Sequence, residues 1–376
     1  MCSPLSLLVA AALVIGLAGC ASPAANAGAE GEASDFCPAA ALQLSELDLV
    51  DDVRAATGGS TACLPTHAID PVSDTTAPEL PVTVIDAEDR EVEVTDVSRI
   101  LAIDISGTIA STVFALGMGD NVVGRDSSTA FDGTEDLPVV TKTGHSLNPE
   151  AILELAPTII LTDTTIGPKE VRQQLRDAGI PIVVISDDLR LDNTDQLVTE
   201  VSTALGIPTR GAALIEQVDT QLDAALAEIA EVIPADEDDR ARMLFLYVRG
   251  NANVYYIFGK DSGADSLIDA VGGIDVATEI GWEGNKPMTA EALAAAQPDV
   301  LVMMTDGLES VGGVTGLIER VPAVAETPAG RNQRVIDMAD AEILSFGPRS
   351  PEVVRAIARA LYAPASGETT AAESAE

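Results

Sequence analysis

The chain has 376 residues, sixty acidic against twenty-one basic, and a net charge of −39. A field of that sign repels nucleic acid and anionic lipid headgroups, which disfavours polyanion binding. Because the acidity is spread along the chain, it reads as a solvated surface and names no partner by itself. The length suggests about two domains, enough to bury substantial cores.

The first nineteen residues are uncharged and run through Leu5, Leu7, Leu8, Val9, Leu13, Val14 and Ile15 into Leu17-Ala18-Gly19-Cys20. That run resembles the secretion signal and lipobox of bacterial lipoproteins, which implies that residues 1–19 are removed and that Cys20 is acylated as the new N-terminus. The apolar stretch is short for a membrane span, and the small, polar stretch from Ala21 to Ser34 argues against one. One departure is the lack of Lys or Arg ahead of the apolar run. Cys37 and Cys63 then remain, an expected disulfide pair in an oxidising exterior, with two unpaired thiols as the alternative. Closing that loop contributes about 3.5 kcal/mol on the chain-entropy model. Residues 20–79 show little periodicity and are expected to form a tether and an irregular N-terminal segment, and 364–376 a disordered tail.

From Val82 the pattern changes. Val82 and Val84, then Val92 and Val94, alternate as a hairpin leading into the buried strand Ile100-Leu101-Ala102-Ile103. Apolar runs at Val122–Gly124, Ile159–Leu161 and Ile182–Ile185 then alternate with helical stretches, an α/β rhythm.

An internal repeat follows. The segment from Pro149 to Ile160 is echoed by that from Ala290 to Leu301, each reading as a short helix that begins near a Glu, ends before a Pro and runs into a buried strand. Upstream, Ala115–Val122 has a counterpart in Ala270–Val276. Between the halves, Leu214, Val218, Leu222, Leu226, Ile229 and Ile233 fall at spacings of three and four, which predicts one long amphipathic helix ending before Pro234. The expected fold is therefore α/β and bilobed, two α/β lobes joined by one long helix. The expected boundaries are 80–195 for the N-terminal lobe, 196–235 for the connecting helical region and 236–363 for the C-terminal lobe.

With the lipobox, this arrangement resembles the helical-backbone class of ABC-transporter substrate-binding proteins, a periplasmic-binding-protein-like fold whose members carry heme, siderophores or cobalamin. The resemblance spans about residues 95–362. It implies an ABC permease dimer with its ATPase as partner, docking through one Glu on each lobe, here Glu150 and Glu291. It also implies attachment to the outer face of the cell membrane through lipid alone. A carboxylate near a helix start is favoured by the macrodipole in any case, so the plainer reading of both is a helix-start acid.

His145 lies in Thr143-Gly144-His145-Ser146-Leu147-Asn148-Pro149, the loop entering the first repeat helix, where an open α/β sheet places its crevice. In the second half Met243–Gly250 reads as a strand, and alternation puts Tyr247 and Arg249 on one face. A phenol ordinarily titrates near 10, so a tyrosinate ligand calls for a neighbouring cation, and ferric iron adds to that help. Imidazole and tyrosinate are both axial ligands of heme iron. The set resembles the HmuT-type hemin-binding lipoproteins, which implies His145 and Tyr247 as iron ligands, Arg249 beside the tyrosine and Met288 near the heme. Each element alone has a bland reading: a lone His is usually not a ligand, Tyr-x-Arg is common at a strand edge, and Met is core filler.

Rival cargoes are ferric siderophores, which call for a basic or aromatic-rich pocket, and cobalamin, which places few demands that sequence displays. For an extracellular hydrolase the chain has no G-x-S-x-G, no H-E-x-x-H and no G-x-x-x-x-G-K-[ST]. No catalytic residues are expected.

Overall fold

The apolar runs from Ile100 onward fold into two parallel sheets flanked by helices. The computed structural model describes residues 38–142, 145–188 and 190–364. The expected secretion signal, Cys20, Cys37 and residues 365–376 lie outside the described residues, while Cys63 is disulfide-bonded. Among the described residues no helix is long and apolar enough to cross a membrane.

Strand β1 (Ser60–Ala62) is followed by the hairpin β2 (Val82–Ile85) and β3 (Glu91–Val94). The first sheet is then laid down by β4 (Ile100–Ile103), α1 (Thr108–Ala115) and β5 (Val122–Gly124). A small hairpin, β6 (Thr141–Lys142) and β7 (Ser146–Leu147), precedes α2 (Pro149–Leu155), β8 (Ile159–Thr162), α3 (Lys169–Asp177) and β9 (Ile182–Val184). The strand order is β5-β4-β8-β9, all parallel. Every residue of β4 and β8 is buried, as expected where helices cover both faces.

Helix α4 (Thr194–Ala204) leads into α5 (Pro208–Ala230). The sequence pattern placed this long helix from Leu214 towards Ile233. It begins already at Pro208, whose fixed φ suits the first helical position, and stops at Ala230. Leu214 and Val218 are buried in the core of the first lobe and Ile229 in that of the second, so one rigid rod is rooted in both.

The second lobe comprises β10 (Arg242–Arg249), β11 (Val254–Phe258), α6 (Ala264–Ala270), β12 (Ile274–Asp275), α7 (Val276–Glu279), β13 (Asn285–Pro287), α8 (Ala290–Ala296) and β14 (Val300–Met304). It continues through α9 (Thr305–Glu309), α10 (Gly313–Arg320), α11 (Pro322–Ala325), α12 (Pro328–Arg331), β15 (Val335–Met338), α13 (Asp340–Ile343) and α14 (Ser350–Tyr362). The parallel order β12-β10-β14-β15 reproduces β5-β4-β8-β9, and β11 and β13 add an antiparallel flank.

Duplication is written in the backbone as well. Helix α2 ends on Ala156 at φ 44°, ψ 56°, and α8 ends on Gln297 at φ 44°, ψ 57°, each just before a proline. Left-handed backbone is uncommon for residues with a Cβ, so its recurrence at matching positions marks equivalent units. Gly117 and Gly272, at φ 75° and 74°, follow α1 and α6 in the same way.

The N-terminal segment is more ordered than its composition predicts. Leu44, Val53, Ala62 and Leu64 are buried in the core of the second lobe, and β1 pairs in parallel with β15, Ser60 opposite Ile336. Buried Arg334 fastens this edge, donating to Ser60 Oγ at 2.9 Å and to the carbonyls of Ala360 and Leu361 at 2.7 and 3.0 Å. The chain then crosses to the first lobe, where Val72 is buried and its N–H donates to the Ala115 carbonyl at 2.8 Å.

Candidate functional site

Open α/β sheets generally bind ligands at the carboxyl ends of their parallel strands, and both sheets present such an edge. On the second lobe, β10 turns Phe245 and Tyr247 to one face and Leu244, Leu246 and Val248 to the other. Across β11, Tyr256 stands opposite Tyr247 and Phe258 opposite Phe245. Tyr247 stacks on Phe258 with centroids 5.7 Å apart and planes at 15°, and Phe258 stacks in turn on Phe245 at 5.1 Å. This aromatic column fixes the plane of a phenol that is itself only partly buried.

Arg249 lies over that ring, its guanidinium carbon 4.6 Å from the centroid. Nη1 donates to the Val248 carbonyl at 2.9 Å, and Nη2 pairs with Asp340 and lies 3.7 Å from Met304 Sδ. Asp340 opens α13, and no local pattern in the sequence ties it to Arg249. Burial raises the Asp340 carboxyl above its ordinary range, and the charge of Arg249 opposes that rise.

On the first lobe, His145 precedes β7 at a φ of 61°, in the left-handed region that histidine tolerates better than most residues. Its Nδ1 lies 3.4 Å from Ser127 Oγ, and the Ser127 N–H donates to Thr141 Oγ1 at 3.0 Å. With Nδ1 engaged, Nε2 is the nitrogen available to a ligand. Burial lowers the imidazole below its ordinary range, and the charge of Arg249 acts in the same direction. A cation on the second lobe is thus within electrostatic reach of the histidine on the first, and it favours the neutral imidazole that can bind a metal.

Beneath the first-lobe edge lie three buried carboxyls at the ends of β4, β5 and β8: Asp104, Asp126 and Asp163. Asp104 caps α1 by accepting the N–H groups of Thr108 and Ile109, at 3.2 and 2.6 Å. Asp126 accepts from the N–H groups of Asp104, Ser128 and Thr129. Asp163 Oδ1 accepts from Thr165, whereas its buried Oδ2 has no partner. Burial first, and then the charge of Asp104, push Asp126 and Asp163 up to about 7. Carboxyls raised in this way hold protons in the folded state that the unfolded chain releases. Their stabilisation is therefore complete below the unfolded pKa of about 4 and is lost as pH rises through about 7. Because that loss is already under way at pH 5 and is complete only above pH 7, Asp163→Asn is expected to be more favourable at pH 8 than at pH 5 by about 2–3 kcal/mol relative to the unsubstituted protein, read from urea unfolding. An equal effect at both pH values would contradict this account.

The profile of the Periplasmic binding protein family matches residues 104–342. The chain belongs to that family. The crystal structure of the heme binding protein HmuT superposes with a TM-score of 0.78 at 40% identity, covering 83% of this chain and 99% of that one. The same protein has been solved with a histidine, a tyrosine, or an arginine two positions after that tyrosine replaced by alanine. YvrC of Bacillus subtilis (strain 168), an uncharacterized ABC transporter substrate-binding lipoprotein, is 25% identical over 287 residues, 75% of this chain and 86% of its own. A cobalamin-binding protein of Halobacterium salinarum is 25% identical over 288 residues, 75% of this chain and 74% of its own.

In this periplasmic binding protein Glu150 and Glu291 are both exposed, in the first turns of α2 and α8. They occupy equivalent places in the two repeats. Met288 does not join Tyr247. Its N–H donates to the Tyr255 carbonyl at 2.9 Å, and its side chain packs with Tyr255 and Trp282 against the cluster behind the sheet. Strand alternation is the reason, because Tyr255 and Tyr256 point to opposite faces. On the Tyr247 side, the sulfur of Met304 lies 3.7 Å from Arg249 Nη2. His67 Nδ1 lies 2.9 Å from Glu342 Oε1, which raises that imidazole. Arg125 donates to the Thr129 carbonyl at 3.0 Å and Arg349 to that of Thr66 at 3.0 Å, so both serve the scaffold. Among the described residues no group of three or more His, Cys, Asp or Glu is arranged to hold a metal ion.

Proposed function

We propose that this binding protein captures heme between its lobes, with Tyr247 and His145 as axial ligands, and delivers it to an ABC permease dimer driven by its ATPase. The observation that carries the reading is the reach of Arg249, which lies over the Tyr247 ring and also acts on His145 across the lobes. The charge of Arg249 favours the neutral imidazole of His145, the form that ligates iron, while its guanidinium lies over the ring of Tyr247. Heme brings four nitrogens of its own, so the protein has only the axial positions to fill. A polar pair supplied by two facing lobes suits that requirement better than it suits a bare ion.

The 40% identity to a heme binding protein, against 25% to a cobalamin-binding one, supports the same cargo. Arg249 is already paired with Asp340, which offsets its attraction for an anionic siderophore. The lobes are taken as 80–195 and 236–363, linked by 196–235. Cys20 carries the lipid that holds the protein at the outer face of the membrane, and Glu150 and Glu291 dock on the permease.

Titration of the purified protein with hemin is expected to give a saturable Soret band with a ferric six-coordinate spectrum, and cyanocobalamin to give no binding. Binding of cyanocobalamin in place of hemin would remove the heme assignment and leave the transport reading standing.

A further inference from the structure

Resting on the heme reading above, we propose that Asp340 is a positioning residue that sets how much of the charge of Arg249 reaches the iron-bound oxygen of Tyr247. Nothing in the spacing of the sequence singles it out; the fold brings it there. Asp340 opens α13, directly after β15, and is fixed on both oxygens. Oδ1 accepts the N–H of Asp306 at 3.0 Å, and Oδ2 accepts from Arg249. The guanidinium is thereby held by groups from three elements: the Val248 carbonyl of β10, the sulfur of Met304 in β14, and the Asp340 carboxylate. What it presents to Tyr247 is its planar face, 4.6 Å from the ring centroid.

Two consequences follow from simple electrostatics. A guanidinium stacked on a phenol and tied to a carboxylate leaves the phenol oxygen free for a metal, whereas a guanidinium hydrogen-bonded to that oxygen would compete for its lone pairs. The carboxylate also offsets part of the guanidinium charge as felt at the oxygen, because it is paired directly with the guanidinium. Asp340 therefore holds Arg249 in place and moderates it at the same time. A carrier must surrender its cargo to a permease, and a ligand oxygen that is only moderately stabilised suits release.

Asp340→Asn keeps the size of the side chain and an acceptor for the Asp306 N–H, and it removes the negative charge. Arg249 retains the Val248 carbonyl and Met304, so it stays over the ring with its charge uncompensated. In the hemin-loaded protein the phenolate-to-iron charge-transfer band is expected to move to shorter wavelength, because the phenolate electrons are held more tightly. Hemin is expected to dissociate about tenfold more slowly, in keeping with one nearby charge acting across a partly screened distance. In an Arg249→Gln background the same substitution is expected to leave the band where Arg249→Gln alone puts it. A purely structural role for Asp340 would lower stability in urea unfolding without moving the band. The inference is overturned if Asp340→Asn leaves the band unmoved, or moves it equally with Gln at position 249. Tyr247→Phe in the same measurement separates the two readings. If the band survives that change, tyrosinate ligation itself is wrong and the role of Asp340 falls with it; if the band is lost, failure of Asp340→Asn counts against Asp340 alone.

Discussion

Hemin affinity is expected to fall by about 100-fold or more in Tyr247→Phe, a larger loss than any other single change in the site should produce. The substitution is deliberately conservative. Phenylalanine keeps the ring that stacks on Phe258 and lies beneath Arg249, so the aromatic column and the cation–π contact persist while the oxygen is gone. Folding stability should accordingly stay close to that of the unsubstituted protein, and the loss should appear in the absorption spectrum and in the dissociation rate. His145→Ala is expected to weaken binding less and to convert the spectrum towards five-coordinate iron. Alanine at 145 must still take up a left-handed φ of 61°, so His145→Gly is the cleaner control for the backbone. If Tyr247→Phe retains both the spectrum and the affinity, the iron ligand lies elsewhere.

The second large effect concerns delivery. Reversing both Glu150 and Glu291 to arginine is expected to reduce hemin uptake through the permease at least about tenfold while hemin affinity stays unchanged. Both side chains are exposed, and each sits in the first turn of a seven-residue helix, so reversal costs the fold only about 0.3–1 kcal/mol per site through the helix dipole. Each single reversal should give an intermediate phenotype, because the two carboxylates occupy equivalent positions on separate lobes. Uptake into proteoliposomes holding the permease, measured beside hemin titration of the same variants, checks the point. Undiminished uptake by the double variant would place the docking surface elsewhere.

How far the sequence could be read depended on the range of the signal. Buried strands such as Ile100–Ile103 and Ile159–Thr162 announce themselves as short apolar runs, and the repeat is legible because each copy carries its own Glu, its own helix and its own proline. The shared face of Tyr247 and Arg249 follows from strand alternation alone. Strand β1 stayed hidden because Ser-Thr-Ala has no alternation, and its existence depends on β15, far along the chain. Asp340 stayed hidden for the same reason: its partner Arg249 belongs to another strand, and only the parallel register of β10, β14 and β15 brings the two strand ends together. Met288 illustrates the reverse failure. Its place in the chain beside the second repeat helix is right for a cleft residue, but the pairing of β13 with β11 turns it to the back of the sheet.

Strand β1 also bears on how the molecule moves. The chain enters through the edge of the second sheet, crosses to the first lobe near Val72, and returns along α5. Two crossings of the polypeptide therefore bridge the halves, and the segment between β9 and α4 adds a third tie, Leu191 packing against the core of the second lobe with its N–H 3.4 Å from Ser266 Oγ. Such a mounting restrains sliding and twisting of one half against the other.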